Sequence, residues 1–266
     1  MIRDPALRRE LIGVAHALAD AAARETLPRF RRRDLAVEDK GPGAFDPVTE
    51  ADRAAESAML AVLAERRPRD AVLGEEHGAR PGETGLTWVL DPIDGTRAFV
   101  CGAPVWGTLI AVGDADGPGF GIVDQPYTGE RFAGGFGTAA LARDGRSTTL
   151  SVRACPALAG ATLLTTHPGI GTEAERGAFD RLGGRVRLVR HGLDCYGYAL
   201  VASGFADLVV EAELQPYDVQ APMALVEAAG GVVTSWDGGP AADGGRVLAA
   251  GDRTLHAAAL EVLAGA

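Results

Sequence analysis

The stretch Trp88-Val89-Leu90-Asp91-Pro92-Ile93-Asp94-Gly95-Thr96 carries the most structural information in this sequence. An apolar run typical of a buried strand passes directly into two carboxylates three residues apart. Pro92 restricts the backbone between them, and Gly95 permits a backbone angle or a close approach that other residues avoid. Thr96 can begin a helix, whose free amides attract anions. The stretch could therefore hold a divalent cation beside a phosphate. On its own, however, it is explained more simply as an Asx-type turn with a helix cap.

Three further acidic segments occur at the ends of predicted elements. The pair Glu75-Glu76 follows a short apolar strand, and Asp218 lies between a strand and an Ala-rich helix. The segment 46–52 opens a helix, where Thr49 and Asp52 could equally form a capping pair; Asp218 could likewise be only a cap. Four such segments together predict an oxygen-ligand cage for several cations. Carboxylates with few histidines nearby favour Mg²⁺ over zinc or copper.

The spacing of apolar residues changes along the chain. The first half predicts two helices, a polar loop and short strands, whereas the second half alternates strands with helices, as in an α/β layer. A soft boundary near 140–150 divides the chain into 1–145, with most metal ligands, and 146–266, with the substrate pocket, within one continuous unit. The predicted helices are 5–27, 49–67, 173–181, 195–203, 217–229 and 252–263; the loop is 34–47; the strands are 71–73, 87–90, 106–112, 119–124, 131–133, 162–165, 186–189, 207–211, 231–234 and 247–250.

Composition excludes several classes of protein. The 266 residues include 36 acidic and 26 basic side chains, a formal net charge of −10, which argues against a general binder of nucleic acid or of anionic membranes. Hydrophobic residues make up 47%, too many for a mainly disordered chain. The sequence shows no signal peptide and no run of 18 apolar residues, so we expect a cytoplasmic protein without a membrane span. Three cysteines without CxxC spacing predict neither a disulfide scaffold nor a zinc site.

Other functional motifs are missing from the sequence. It contains no GxxxxGK[ST], HExxH or GxSxG pattern. The segment from Asp91 fails the EF-hand pattern, because Ile93 stands where an acid or amide is required. The glycines of 134–137 predict a hairpin turn, since no strand–GxGxxG–helix unit surrounds them. A dinucleotide-binding module is therefore disfavoured.

The four acidic segments, in this order between residues 40 and 230, resemble the inositol-monophosphatase-like, lithium-sensitive phosphatases. The resemblance implies a mixed α+β or α/β chain folded as a layered α-β-α-β-α sandwich. It also implies Mg²⁺-dependent hydrolysis of a small phosphorylated metabolite, inhibition by Li⁺ and a homodimer. By this resemblance, two or three Mg²⁺ ions per site would be bound by Glu75, Asp91, the Ile93 carbonyl, Asp94 and Asp218.

The same resemblance implies the roles of the neighbouring residues. Asp52 would support a further metal position, directly or through water, and Thr96 would orient the attacking water together with Glu75. The Gly95 and Thr96 amides would hold the phosphate. Lys40, the only lysine of the chain, lies just upstream of the first acidic segment, where the family commonly has a lysine near the phosphate.

Details within the family point to its histidinol-phosphatase branch. The chain reads Arg97-Ala98-Phe99 where typical inositol phosphatases have Thr-Asn-Phe, and it continues with Asp194-Cys195-Tyr196-Gly197-Tyr198. Histidinol phosphate carries an amine and an imidazole, which Asp194 and Glu211 could contact; Arg97 is a further candidate. The prediction is therefore a histidinol-phosphatase of histidine biosynthesis. Two alternatives remain: an enzyme acting on inositol phosphate, a sugar phosphate or a nucleotide 3′-phosphate, and a catalytically silent regulator that binds metal and phosphate.

Overall fold

The computed structural model describes residues 2–39 and 47–265. In chain order its helices and strands are α1 (Pro5–Thr26), β1 (Val37–Asp39), β2 (Pro47–Thr49), α2 (Glu50–Arg66), β3 (Ala71–Gly74), β4 (Gly78–Arg80), β5 (Thr87–Asp94), α3 (Thr96–Cys101), β6 (Gly107–Asp114), β7 (Gly117–Gln125), β8 (Glu130–Gly135), β9 (Thr138–Arg143), β10 (Arg146–Thr149), β11 (Thr162–Thr165), α4 (Glu173–Gly183), β12 (Leu188–His191), α5 (Asp194–Ala202), β13 (Leu208–Leu214), α6 (Pro216–Ala228), β14 (Val232–Ser235), β15 (Gly245–Ala250) and α7 (Arg253–Ala264).

Two sheets organise these elements. Eight strands form the first sheet in the order β10-β9-β8-β7-β6-β5-β3-β4, and five form the second in the order β12-β11-β13-β15-β14. The change of sheet falls between Thr149 and Thr162. Helix α6 contacts strands of both sheets. The division into 1–145 and 146–266 stays a prediction.

The helices complete a five-layer arrangement. Helices α1 and α2 pack together on one face of the eight-stranded sheet, and α5 and α6 lie between the two sheets. Helices α4 and α7 contact each other, and their apolar residues form one core cluster with those of the second sheet. A separate core cluster fills each interface around the first sheet. The predicted α-β-α-β-α sandwich is thus confirmed.

Strand β5 shows why the sequence folds in this way. It is covered on both faces by helices, so its residues from Trp88 to Leu90 are all buried and read as a continuous apolar run. On one side, the Leu11 and Leu18 side chains of α1 belong to the core cluster that includes Trp88. Asp4 is the N-cap of helix α1, and its side chain accepts a hydrogen bond from the Ala6 amide at 2.9 Å.

Some short elements were not predicted. The predicted loop 34–47 contains β1, which pairs with β2 through Val37 and Thr49. All three residues of β1 are exposed, as are all four of β10, so neither shows the alternation that identifies a half-buried strand. The predicted hairpin turn at 134–137 is present, between β8 and β9. None of the helices in the described ranges is both long and apolar enough to cross a membrane.

Candidate active site

A cavity of about 730 Å³ opens where several strands of both sheets end. The turn after β5 forms one wall, together with the residue that follows β3. The beginning of α5, the end of β13 and the loop after β11 form the rest. The cavity is lined by Pro47, Glu75, Asp91, Ile93, Asp94, Gly95, Thr96, Arg97, Thr166, His167, Gly169, Ile170, Gly171, Asp194, Glu211, Ala212, Glu213, Leu214 and Asp218. Every predicted site residue in the described ranges lines it except Asp52.

An irregularity at the end of β5 presents the two carboxylates of the opening stretch. Asp91 pairs with Leu109 of β6 and Asp94 with Gly107, so the β5 side has one extra residue within this segment. The Asp91 Oδ1 atom accepts a hydrogen bond from the Ile93 amide at 2.9 Å. This is the Asx-type turn that the simpler interpretation predicted, and it lies directly in the cavity wall.

Asp91, Asp94 and Asp218 form an acidic cluster. One carboxylate oxygen from each lies within 4.8 Å of the others. Burial, followed by the charges of Glu75, Asp94 and Asp218, holds the pKa of Asp91 well above its usual value. Burial and the charges of Asp194 and Asp218 do the same for the pKa of Asp94. Three mutually repelling carboxylate oxygens are the donor set that a hard divalent cation such as Mg²⁺ prefers, so these residues fit the implied metal.

Backbone amides fix the orientation of two members of this cluster. The Asp94 Oδ2 atom accepts a hydrogen bond from the Cys195 amide at 2.6 Å, which joins β5 to the start of α5. The Asp218 Oδ2 atom accepts one from the Gln215 amide at 2.7 Å at the start of α6. Asp218 is therefore a helix-capping residue, as the alternative interpretation expected, and it also belongs to the acidic cluster.

Glu75 reaches the cluster because β3 and β5 run parallel. Their register pairs Gly74 with Leu90, and the Glu75 amide donates a hydrogen bond to the Leu90 carbonyl at 3.2 Å. The Glu75 side chain is hydrogen-bonded to that of Asp91, a contact that raises the pKa of Asp91. Two carboxyl groups can make such a bond only by sharing a proton, which a cation at this position would replace.

Asp52 and Thr96 meet behind the acidic cluster. The Thr96 hydroxyl lies 3.0 Å from the Ile93 carbonyl and 3.4 Å from Asp52 Oδ1. Asp52 also forms the predicted capping box, because its Oδ2 atom accepts hydrogen bonds from the amide and the hydroxyl of Thr49, at 2.8 and 2.6 Å. Burial is the main reason that the pKa of Asp52 rises to about 6.

Gly95 is required by both its conformation and its surroundings. Its φ of +81° lies in the left-handed region, and a Cβ atom would come within 2.9 Å of the Asp194 Cγ atom. Asp194 itself, the first residue of α5, has a φ of +45°. Burial raises the pKa of Asp194 to about 6, and the charge of the exposed Arg97 opposes this rise.

The carboxylate of Glu211, a residue of β13 in the second sheet, is held by donors at and just after the end of β11. Its carboxylate accepts hydrogen bonds from the Thr166 amide at 2.7 Å, the Thr166 hydroxyl at 3.0 Å and the Thr165 hydroxyl at 3.2 Å. Burial raises the pKa of Glu211 to about 7, against the effect of these three donors, and the charge of Asp194 adds to the rise. The charge of Asp194 acts on Asp94 as well, and these acids line the same cavity, so acidic side chains extend from the acidic cluster to Glu211.

Two acidic residues at or behind this site were missed in the sequence. Glu56 is fully buried on α2, one helical turn after Asp52, and this i to i+4 spacing was the available signal. Glu213 lines the cavity at a register shift in β13 between Glu211 and Leu214, with a φ of +64°. Because the shift depends on pairing with β15, no local pattern could have predicted it. The predicted phosphate contact Lys40 lies outside the described residues.

A solved structure defines the class of protein to which this fold and site belong. The chain matches that of an inositol monophosphatase from Zymomonas mobilis with a TM-score of 0.85 and 39% sequence identity, over 98% of this chain and 100% of that one. The sequence model of the inositol monophosphatase family matches residues 7–265, so this chain belongs to the inositol monophosphatase family. The resemblance drawn from the four acidic segments is thereby confirmed.

Two curated relatives have names that specify phosphatase activity. The "Bifunctional phosphatase IMPL2, chloroplastic" of Arabidopsis thaliana is 41% identical, over 94% of this chain and 74% of its own length. The "Histidinol-phosphatase" of Mycobacterium tuberculosis is 39% identical, over 89% of this chain and 91% of its own length. The inositol monophosphatase from Zymomonas mobilis has the same 39% identity. Overall similarity therefore does not separate the two substrates.

Proposed function

We propose that this chain is a Mg²⁺-dependent histidinol-phosphatase of histidine biosynthesis, which converts L-histidinol phosphate and water into L-histidinol and phosphate. Phosphoric monoester hydrolysis is the activity common to its family. The observation that carries the choice of substrate is the acidic lining of the cavity. Its acidic cluster suits a metal-bound phosphate, and the residues we call the substrate-end acids, Asp194, Glu211 and Glu213, suit a cationic group on the same molecule.

In this proposal the residues at the end of β5 and around it bind metal and phosphate. When bound, Mg²⁺ would lower the pKa of water and stabilise negative charge on the phosphoryl and leaving oxygens. The ions would be held, two or three per site, by Glu75, Asp91, the Ile93 carbonyl, Asp94 and Asp218, with Asp52 supporting a further position. The Gly95 and Thr96 amides, and Lys40, would contact the phosphate.

The attacking water would be oriented by Thr96 and Glu75. The Thr96 hydroxyl has its proton directed to the Ile93 carbonyl or to Asp52, so its lone pairs can accept a hydrogen bond from the water. Glu75 would accept the proton that the water loses as it attacks in line with the leaving oxygen. No side chain needs to act as a nucleophile, so the mechanism requires no phosphoenzyme.

The substrate-end acids would recognise the amine and imidazole of histidinol. Glu211 is held rigidly by its three donors, with a pKa near 7. A cationic group beside it would favour its charged form and lower that pKa. Arg97 would favour the charged form of Asp194, because its charge opposes the rise in the pKa of that carboxyl.

A panel of phosphomonoesters tests the choice of substrate. Phosphate release is measured with L-histidinol phosphate, inositol 1-phosphate, a sugar phosphate and a nucleotide 3′-phosphate, each with Mg²⁺ and with EDTA. We expect kcat/KM for L-histidinol phosphate to exceed the others by at least about tenfold, which corresponds to about 1.4 kcal/mol of transition-state discrimination.

The panel also decides between the alternatives. An inositol phosphatase is favoured by the identity to the Zymomonas mobilis structure and would prefer inositol 1-phosphate. A catalytically silent regulator would release no phosphate from any ester. Either result would contradict the proposal.

The resemblance to the family supports two further proposals, inhibition by Li⁺ and a homodimer, and the sequence pattern supports a third, a cytoplasmic location. Li⁺ inhibition is checked by a Li⁺ titration of phosphate release. The dimer is checked by sedimentation, where a monomer at working concentration would contradict it. Fractionation of cells tests the location.

A further inference from the structure

We propose that Glu56 is a positioning residue that fixes Glu75 for metal binding; this inference rests on the proposed function. Glu56 lies on α2, and its side chain is fully buried. It does not line the cavity, so any effect on the reaction must pass through the residues it contacts. Those contacts surround Glu75 in the sequence.

The Glu56 carboxylate holds the backbone that follows β3. Its Oε2 atom accepts a hydrogen bond from the Glu76 amide at 2.7 Å, and its Oε1 atom accepts one from the His77 amide at 3.0 Å. The His77 ring nitrogen Nδ1 lies 3.3 Å from the same Oε1. On the other side of Glu75, the carboxylate packs so closely on Gly74 that a Cβ atom there would overlap with Oε1. Glu75 is therefore flanked on both sides by residues that Glu56 contacts.

A second contact fixes Glu75 against β5. Its amide donates to the Leu90 carbonyl at 3.2 Å, so the residue is held between α2 and the strand that carries Asp91. Without the Glu56 carboxylate, the amides of Glu76 and His77 would lose their acceptor, and the backbone that follows β3 would no longer be held against α2. The Glu75 side chain would then lose its alignment with Asp91.

Helix α2 also positions the opposite side of the site. Asp52, one turn before Glu56, contacts the Thr96 hydroxyl. Helix α2 thus contacts both Thr96 and the backbone next to Glu75, the residues proposed to orient the water. Residues that orient metal ligands typically change metal affinity by about 10-fold to 100-fold when they are altered.

Two substitutions disturb this contact from opposite sides. Glu56→Gln keeps the shape of the side chain but places an NH₂ group against a backbone amide. Gly74→Ala leaves Glu56 intact but displaces its carboxylate with a methyl group. Glu65→Gln, an exposed position on the same helix, is the matched control for the loss of one negative charge.

The readout is the affinity for Mg²⁺ in the absence of substrate. It is measured by calorimetry and by the rise in Tm during a Mg²⁺ titration. We expect Glu56→Gln and Gly74→Ala to weaken apparent Mg²⁺ affinity by about tenfold or more, whereas Glu65→Gln keeps the wild-type value. The Mg²⁺ concentration for half-maximal phosphate release should shift by the same factor, with kcat largely restored at saturating Mg²⁺.

Wild-type Mg²⁺ affinity in either folded variant would overturn the role of Glu56, even if its Tm without metal were lower, because a merely structural residue changes only that Tm. If Glu56→Gln does not fold, the Gly74→Ala titration decides. Failure of the wild-type protein to bind Mg²⁺ would instead contradict the proposed function, so the two failures are distinguishable.

Discussion

The two ends of the cavity are built in different ways. The acidic cluster comes mainly from the end of β5, where an Asx-type turn and a backbone amide set two carboxylates three residues apart. The substrate-end acids come from α5 and from a shifted register in β13, so only the packing of the second sheet brings them to the cavity. The first end is specified locally and the second by tertiary structure. We therefore expect general catalysis to depend on the first end and substrate choice on the second.

The largest effect is expected from Asp94→Asn. The asparagine can still accept the hydrogen bond from the Cys195 amide but cannot provide the charge that the metal requires. We predict a loss of kcat/KM of at least about 100-fold for every phosphomonoester. Phosphate-release kinetics measure it, with the exposed Asp180→Asn as control. Because the substitution removes like-charge repulsion, Tm without metal should not fall; near-normal turnover would exclude Asp94 as a ligand.

A smaller and selective effect is expected from Glu211→Gln. At pH 8 Glu211 is mostly charged, given its pKa of about 7. Replacing it should reduce kcat/KM for L-histidinol phosphate by about tenfold, or about 1.4 kcal/mol, mainly through KM. The exposed Glu173→Gln is the control. An unchanged KM would remove Glu211 from substrate recognition.

The pH dependence sharpens the same contrast. Below pH 7 Glu211 is mostly neutral and attracts a cation less, so kcat/KM should fall as the pH is lowered from 8 to 6, with a midpoint about pH 7. The Glu211→Gln variant should show a flatter profile in this range. Identical profiles would contradict the assignment.

The free energy of unfolding of the ligand-free protein should depend on pH in the opposite direction to kcat/KM. The folded state raises the pKa of Glu211 from the ordinary value of 4.5 for a glutamate and so binds more protons than the unfolded state. The contribution of this group to the free energy of unfolding therefore decreases as the pH rises from about 4.5 to 7. At pH 8, Glu211→Gln should have a higher Tm than the wild type, and thermal unfolding measures it.

The smallest effect is expected from Glu213→Gly. A glycine accepts the φ of +64° without the strain that a glutamate suffers there, about 1 kcal/mol. We predict a rise in Tm of about 2–4 °C together with a modest increase in KM for L-histidinol phosphate. A rise in Tm without any change in KM would show that Glu213 does not contact the substrate.

The sequence predicted the first end of the cavity in more detail than the second. Asp91 and Asp94 could be placed at the end of a strand because a strand, a turn and a helix start follow one another directly, and Asp218 could be placed at the start of a helix. Their roles as metal ligands stay predictions. The capping roles proposed as alternatives for Asp52 and Asp218 are also present, since one carboxylate oxygen can cap a helix while the other faces the site. A local capping signal therefore does not exclude a functional one.

What could not be predicted depends on contacts between distant residues. The raised pKa of Glu211 needs burial and the nearby Asp194, and its three donors come from the end of β11 and the residue after it, 45 and 46 residues away. In the sequence, Glu56 does not differ from the other acids on predicted helices. Only the tertiary structure shows that it contacts the turn after β3. Strand β1 escaped prediction because it is exposed throughout, although its pairing with β2 orders the chain before α2.

The most direct test of the division between the two ends is the ratio of kcat/KM for L-histidinol phosphate to that for inositol 1-phosphate, measured at pH 8 with saturating Mg²⁺. The account predicts a ratio of at least about ten in the wild type. Asp94→Asn should leave this ratio unchanged while both rates collapse, and Glu211→Gln should bring it close to one. If Glu211→Gln lowered both rates equally, or if the wild-type ratio were below one, the account would be contradicted.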